Sequence, residues 1–259
     1  MRLLSSFFLI FSLNAAEFQS YDAKFVFETK FGDFPLKRYF VVKEQEINTR
    51  VKMQIFWLQY SLDSNFKIEN QQIISIDTNV KDPFRDPPKN FKASFSKNII
   101  NSKELGDFEY TGSVLEQLSS DVQVRLNAKY GVKDYQLNIF DNTKAEVVSK
   151  NYRQLENEVV STNFGDIETI VVVAESEDVG PIKYYIAPSL DYMIIKSTAT
   201  LKNDEERVLI ISEEPKFSGE YSSLSLIFST SILVTSFTDL IRLKEDHLCY
   251  TFICIDFCR

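Results

Sequence analysis

Histidine is almost missing from this 259-residue chain: the only one is His247, close to the C-terminus. Nucleophilic catalysis by Ser or Cys needs a base held beside the nucleophile. No histidine before position 247 supplies one, and no Gly-x-Ser-x-Gly elbow occurs. Cysteine is equally scarce. Cys249, Cys254 and Cys258 are the full set, so everything before them must hold together without disulfides. With His247 they make four possible zinc ligands, but their spacing fits none of the paired-ligand patterns, so no metal or cofactor is expected. The seven glycines are never grouped, which excludes a phosphate-cradling loop and a dinucleotide fingerprint. Lys and Arg number 29 against 37 Asp and Glu, a net charge of -8 with no basic stripe, so nucleic acid is excluded as a partner.

Large apolar side chains are abundant, with 22 Phe, 12 Tyr and one Trp in a chain that is 44% hydrophobic. From Phe18 to Ser212 apolar and polar residues alternate with a period of two, the pattern of half-buried strands. Tyr21, Ala23, Phe25 and Phe27 fall on one face, Asp22, Lys24 and Glu28 on the other. Further strands are expected over 38–43, 52–62, 66–76, 90–95, 135–140, 144–152, 158–162, 168–174, 182–187, 193–201 and 207–212. Turn residues at Phe31-Gly32-Asp33, Phe164-Gly165-Asp166 and Val179-Gly180-Pro181 separate them, so the class is mainly β, an antiparallel meander. One segment breaks the alternation. Ser113 and Glu116 have the spacing of a capping box, and Val114, Leu115, Leu118, Val122 and Leu126 recur at helical spacing. An amphipathic helix over 114–129 is expected, with its apolar stripe on the concave face of the sheet.

The two ends read differently. Residues 1–16 join Arg2 to the apolar run Leu3–Leu13 and finish on Ala15-Ala16, the shape of a secretory signal peptide. The chain is expected to be exported to a bacterial periplasm, its mature form starting at Glu17. Residues 217–259 form an atypical extension, serine-rich and carrying all three cysteines. Its uncharged run Leu224–Phe237 is shorter than the roughly 20 residues of a membrane span. Membrane association is expected only if the tail at 224–243 inserts. An added packed element, a poorly ordered extension and a read-through sequence foreign to the fold are the other readings of this tail.

The segment Tyr21-Asp-Ala-Lys-Phe25, the stretch Leu118–Leu126, the turn Thr162-Asn-Phe-Gly-Asp166 and the corner Tyr184-Tyr-Ile-Ala-Pro-Ser-Leu-Asp-Tyr192 together resemble the periplasmic domain-of-unknown-function 3108 family. The likeness runs from Tyr21 to Lys216. It departs where the family has Pro after the Asp-Tyr corner and this chain has Met193. The resemblance implies a curved antiparallel half-barrel like that of lipoprotein carriers for residues 17–216. It also implies an apolar cavity closed by helix, and brings no catalytic residue.

The function expected from these readings is non-enzymatic binding of a hydrophobic ligand, a lipid or a lipoprotein acyl chain. Phe25, Trp57, Tyr60, Phe66, Phe91, Tyr135, Tyr185 and Tyr192 are the candidate cavity residues, because large rigid rings shape such pockets. The alternative is a structural or interaction module that docks on an envelope protein. Carboxylate pairs such as Glu156 with Glu158 read as solvated charge, as do Asp82, Arg85 and Asp86 in the proline-rich loop.

Overall fold

Tyr21, Ala23, Phe25 and Phe27 are all buried on one face of strand β1 (Tyr21–Thr29), as alternation requires of a strand with one covered side. The same rule generates the rest of the sheet in the computed structural model, which describes residues 17–85, 87–142, 145–176, 180–200 and 205–218. An N-terminal meander comprises β1, β2 (Gly32–Lys43), β3 (Glu46–Ile55), β4 (Leu58–Glu69), β5 (Gln72–Asp82), β6 (Lys89–Ser96), β7 (Ile99–Asn101) and β8 (Phe108–Glu109). Helix α1 (Gln117–Lys129) follows. The second half contains β9 (Asp134–Asp141), β10 (Glu146–Gln154), β11 (Glu158–Thr162), β12 (Gly165–Glu175), β13 (Ile182–Ala187), β14 (Met193–Thr200), β15 (Glu206–Ile211) and β16 (Lys216–Phe217). The signal segment 1–16 and the extension from 219 onward, with its anchor and zinc readings, lie outside the described residues. Phe217, placed in the extension by composition, pairs with Tyr21 in the sheet.

The strands form one antiparallel sheet in the order β8-β7-β6-β5-β4-β3-β2-β1-β15-β14-β13-β12-β10-β9, with β11 on β12 and β16 on β1. It is curved and not closed, a half-barrel. Register shifts at Asn65/Phe66 and at Tyr185/Ile186 mark bulges, which add local bend and twist. The two sheet edges, β8 and β9, are brought together by rings: Phe140 of β9 lies 5.5 Å from Phe108 and 6.0 Å from Phe95. Phe108→Ala should therefore cost about 1 kcal/mol, with faster hydrogen exchange in β7 and β8. Unchanged exchange there would show that the rings do not hold the seam.

Two hairpins share a turn. Thr29-Lys-Phe-Gly-Asp33 and Thr162-Asn-Phe-Gly-Asp166 both have the Thr hydroxyl donating to the Gly carbonyl, at 3.1 and 2.7 Å. In both, the Thr Oγ accepts from the Phe amide, at 3.1 and 3.3 Å. Gly32 and Gly165 sit at φ 123° and 129°, where a side chain would be strained. The continuous strands expected over 52–62 and 66–76 are in fact hairpins whose turns carry no glycine or proline. The first reverses at Phe56-Trp57, with Phe56 at φ 52°. The second reverses at Asn70-Gln71, both at positive φ.

The helix starts later than the capping-box pattern predicts. Leu115 makes a parallel bridge to Ile139 of β9, its amide donating to Asn138 O and its carbonyl accepting from Phe140 N. That ladder contact holds 114–115 extended, so Glu116 is the N-cap and Ser113 plays no part in the capping. No residue of α1 is exposed: Leu118, Val122 and Leu126 join the core with β1 to β7, whereas Val124 and Ala128 pack with β9, β10, β12, β13 and β14. The helix runs inside the hollow, covered on all sides.

Candidate functional site

The interior beneath α1 is built from polar groups as well as rings. Glu116 is fully buried, and its carboxylate accepts from the amides of Leu118, at 2.9 Å, and Ser119, satisfying orphan donors of the first turn. Its own amide donates to Ser75 Oγ (3.1 Å), which is 2.8 Å from Ser119 Oγ, and that hydroxyl donates to the Glu116 carbonyl (2.9 Å). Burial pushes the Glu116 carboxyl up to about 7, against the pull of the amide bonds. A carboxyl of this kind is a feature of acid–base sites. Here it is sealed from substrate and spent on capping.

One turn further along, Asp121 meets Arg38 Nη1 at 3.3 Å. Burial raises the Asp121 carboxyl above its ordinary range, opposed by the Arg38 charge. Beside this pair a cavity of about 30 Å³ is lined by Phe25, Leu36, Arg38, Asp121, Tyr184 and Ser197, among others. That volume holds a water or two; pockets for drug-sized or lipid ligands run from about 300 Å³ upward. A larger depression of about 1270 Å³, partly open to solvent, lies near Phe18, Val42 and Phe217 and is edged by Lys43, Glu44, Glu46, Lys67 and Glu69.

Arg125 crosses the hollow at the other end of the helix and is fully buried. Its Nε donates to Tyr192 O (3.0 Å) and its Nη2 to Asp191 O (3.1 Å), while the guanidinium carbon lies 4.3 to 5.5 Å from the ring centroids of Phe18, Tyr21 and Phe40. Asp191 and Tyr192 form the corner after a 3-10 turn at Pro188–Leu190, both in left-handed conformation, φ 52° and 55°. Gln19 N donates to Asp191 Oδ2 at 2.7 Å. The Ala-Pro-x-x-Asp-Tyr corner is thus a strained reversal whose two inward carbonyls are held by one helix arginine.

The candidate cavity residues are dispersed. Phe25 borders the 30 Å³ cavity; Tyr60, Phe66 and Phe91 are buried in packed core. Tyr135 stacks on Tyr152 at 5.1 Å and packs against the smaller cluster, and Tyr192 serves through its backbone carbonyl. Tyr185 is buried in the larger core cluster, opposite Lys196 and Val171 in register, with Lys196 Nζ 5.0 Å from its ring centroid; its neighbour Tyr184 lines the cavity. Trp57 is 71% exposed and Phe56 53%, at the tip of the β3–β4 hairpin and outside the interior. Arg38, Asp121 and Arg125 are not anticipated from sequence, and Glu116 only as the last position of a capping box. The one available signal was charge at positions of α1 and β2 whose neighbours alternate into the core.

Among the described residues no cluster of His, Cys, Asp and Glu has the arrangement of a metal site, and Asp82 is engaged by Arg85 at 2.8 Å and by the Phe84 amide. Among the same residues no helix is long and apolar enough to cross a membrane. No family model matches the chain, and no curated protein does. In fold the chain is similar to a β-barrel-like protein of domain of unknown function DUF1849 from Brucella abortus. The TM-score is 0.52 at 10% identity, over 79% of this chain and 100% of that one. It is also aligned with the MucA/MucB complex of Pseudomonas aeruginosa, with a TM-score of 0.38 at 8% identity, over 79% of this chain and 54% of that one. The first likeness shows a shared β-barrel-like fold.

Proposed function

We propose that this chain is a non-enzymatic module of the bacterial cell envelope that acts through contacts of its outer surface with another envelope component. The observation that carries this reading is the position of α1. The hollow that would enclose an acyl chain is occupied by the protein's own helix, and the cavity beside Arg38 and Asp121 holds only about 30 Å³. Burying a lipid tail at about 0.8 kcal/mol per methylene needs room for many methylenes. The signal-peptide pattern of 1–16 supports export to the periplasm. The sealed position of Glu116 supports a role without catalysis.

The test is direct. The purified chain, incubated with palmitate and with a diacylated lipopeptide, should retain neither in native mass spectrometry, and should be retained on washed envelope membranes. Stoichiometric uptake of either acyl compound, with loss of the Phe25–Leu118 packing, would return the ligand reading to first place. Absence of both uptake and envelope retention sinks the proposal altogether.

A further inference from the structure

We propose that the β3–β4 hairpin tip, Phe56 and Trp57, inserts into the interfacial layer of a phospholipid bilayer. This deepens the preceding reading, on which it rests, by giving the envelope component a chemistry.

The tip is a two-residue reversal between paired Ile55 and Leu58. Its first position takes φ 52°, a conformation suited to Gly, Asn or Asp and costly for a bulky side chain. A phenylalanine nevertheless occupies it, followed by the only tryptophan in the chain, and these are the most exposed aromatic rings among the described residues. The rings lie 5.9 Å apart, tilted at 44°, and Gln54 Nε2 holds the Phe56 carbonyl at 3.1 Å. Neither ring packs on the core, so folding does not explain their presence there. A strained backbone carrying exposed rings is the kind of local conflict that marks a working surface.

Strand direction supplies the second observation. In an antiparallel order β1-β2-β3-β4, the β1–β2 and β3–β4 turns lie at the same end of the sheet. The β1–β2 turn carries another exposed ring, Phe31, with Lys30 Nζ 4.9 Å from its centroid. Two narrow tips with outward rings match an interface where aromatic rings are favoured, while the Lys30 ammonium is held by Glu205 Oε2 at 3.1 Å. The chain's negative charge argues that such attachment comes from apolar insertion rather than from attraction to anionic lipid.

The experiment uses the full chain and vesicles of phosphatidylethanolamine and phosphatidylglycerol. Because Trp57 is the sole tryptophan, its emission should shift to the blue and be quenched by lipids brominated near the headgroup end of the acyl chain. Binding should survive a rise in ionic strength from about 0.05 to about 0.5 M. Phe56→Gly suits the left-handed backbone, so the fold is preserved while partition falls at least tenfold; Trp57→Ser should weaken flotation similarly. Emission that does not move, or vesicle binding that neither substitution weakens, overturns the proposal, the latter by placing the contact elsewhere, such as the 224–237 run. Envelope retention that persists without lipid binding removes this inference and leaves the surface-docking reading standing. Loss of both removes the two together.

Discussion

Replacing Arg125 with Ala is expected to destabilise the protein by about 3–5 kcal/mol, the range seen when a buried, fully used charged side chain is cut away. Three costs combine. The carbonyls of Asp191 and Tyr192 lose their donors inside the protein, where an unsatisfied group is penalised heavily. The rings of Phe18, Tyr21 and Phe40 lose the cation they surround, and a void opens between them. The corner at 191–192, with two successive non-glycine residues in the left-handed region, loses what holds it. Arg125→Met fills the space without the hydrogen bonds and should recover only the packing share. Urea unfolding of the three proteins measures this. A loss below about 1 kcal/mol for the alanine variant would show that the corner is self-supporting.

The second large effect concerns pH. The Glu116 carboxyl is raised by burial from its ordinary 4.5 to about 7, so the folded protein holds a proton there that the unfolded chain releases. The sign follows: this contribution to stability is fully present below about pH 4.5 and is lost as pH rises through 7. The amount is on the order of 3 kcal/mol, from 1.36 kcal/mol per pKa unit. Glu116→Gln carries no charge at any pH and keeps one oxygen for only one of the two amides, which Oε2 and Oε1 accept separately in the parent. It should be less stable than the parent at pH 5 and lose less stability than the parent between pH 5 and 8. Asp121 and Asp22 are also raised by burial and leave a residual slope of the same sign in both proteins. Parent and variant whose urea midpoints run parallel between pH 5 and 8 would refute the assignment.

Period-two alternation was enough to read most strands. The spans 158–162 and 182–187 agree with β11 and β13 to the residue, because flanking Gly, Asn and Pro punctuate them. What escaped were reversals made without such residues, as at Phe56-Trp57, where a strand pattern runs straight through the turn. The helix start escaped because a single bridge from Leu115 to Ile139, a long-range contact, outweighs a local capping preference. The interior was harder still. Counting rings places Trp57 in the hollow, whereas the reversal between Ile55 and Leu58 sets it at a hairpin tip. Which face a ring takes depends on register and on bulges such as the shift at Tyr185/Ile186. Buried Arg38 and Arg125 stayed invisible because a charged residue inside the core breaks the very pattern used to find the core.

Strand β1 comes first in the folded chain but stands in the middle of the sheet. β2 joins it at once on one flank; on the other it waits for β15 and β16, and Lys24 reaches Glu213 at 2.8 Å across 189 positions of sequence. Until the last strands arrive, the growing polypeptide exposes a long raw row of amides and carbonyls, a template for pairing with any other extended segment. Assembly is therefore slow and completed from the C-terminal side. A nascent or truncated product ending before Glu206 is a candidate for aggregation and for capture by holding chaperones.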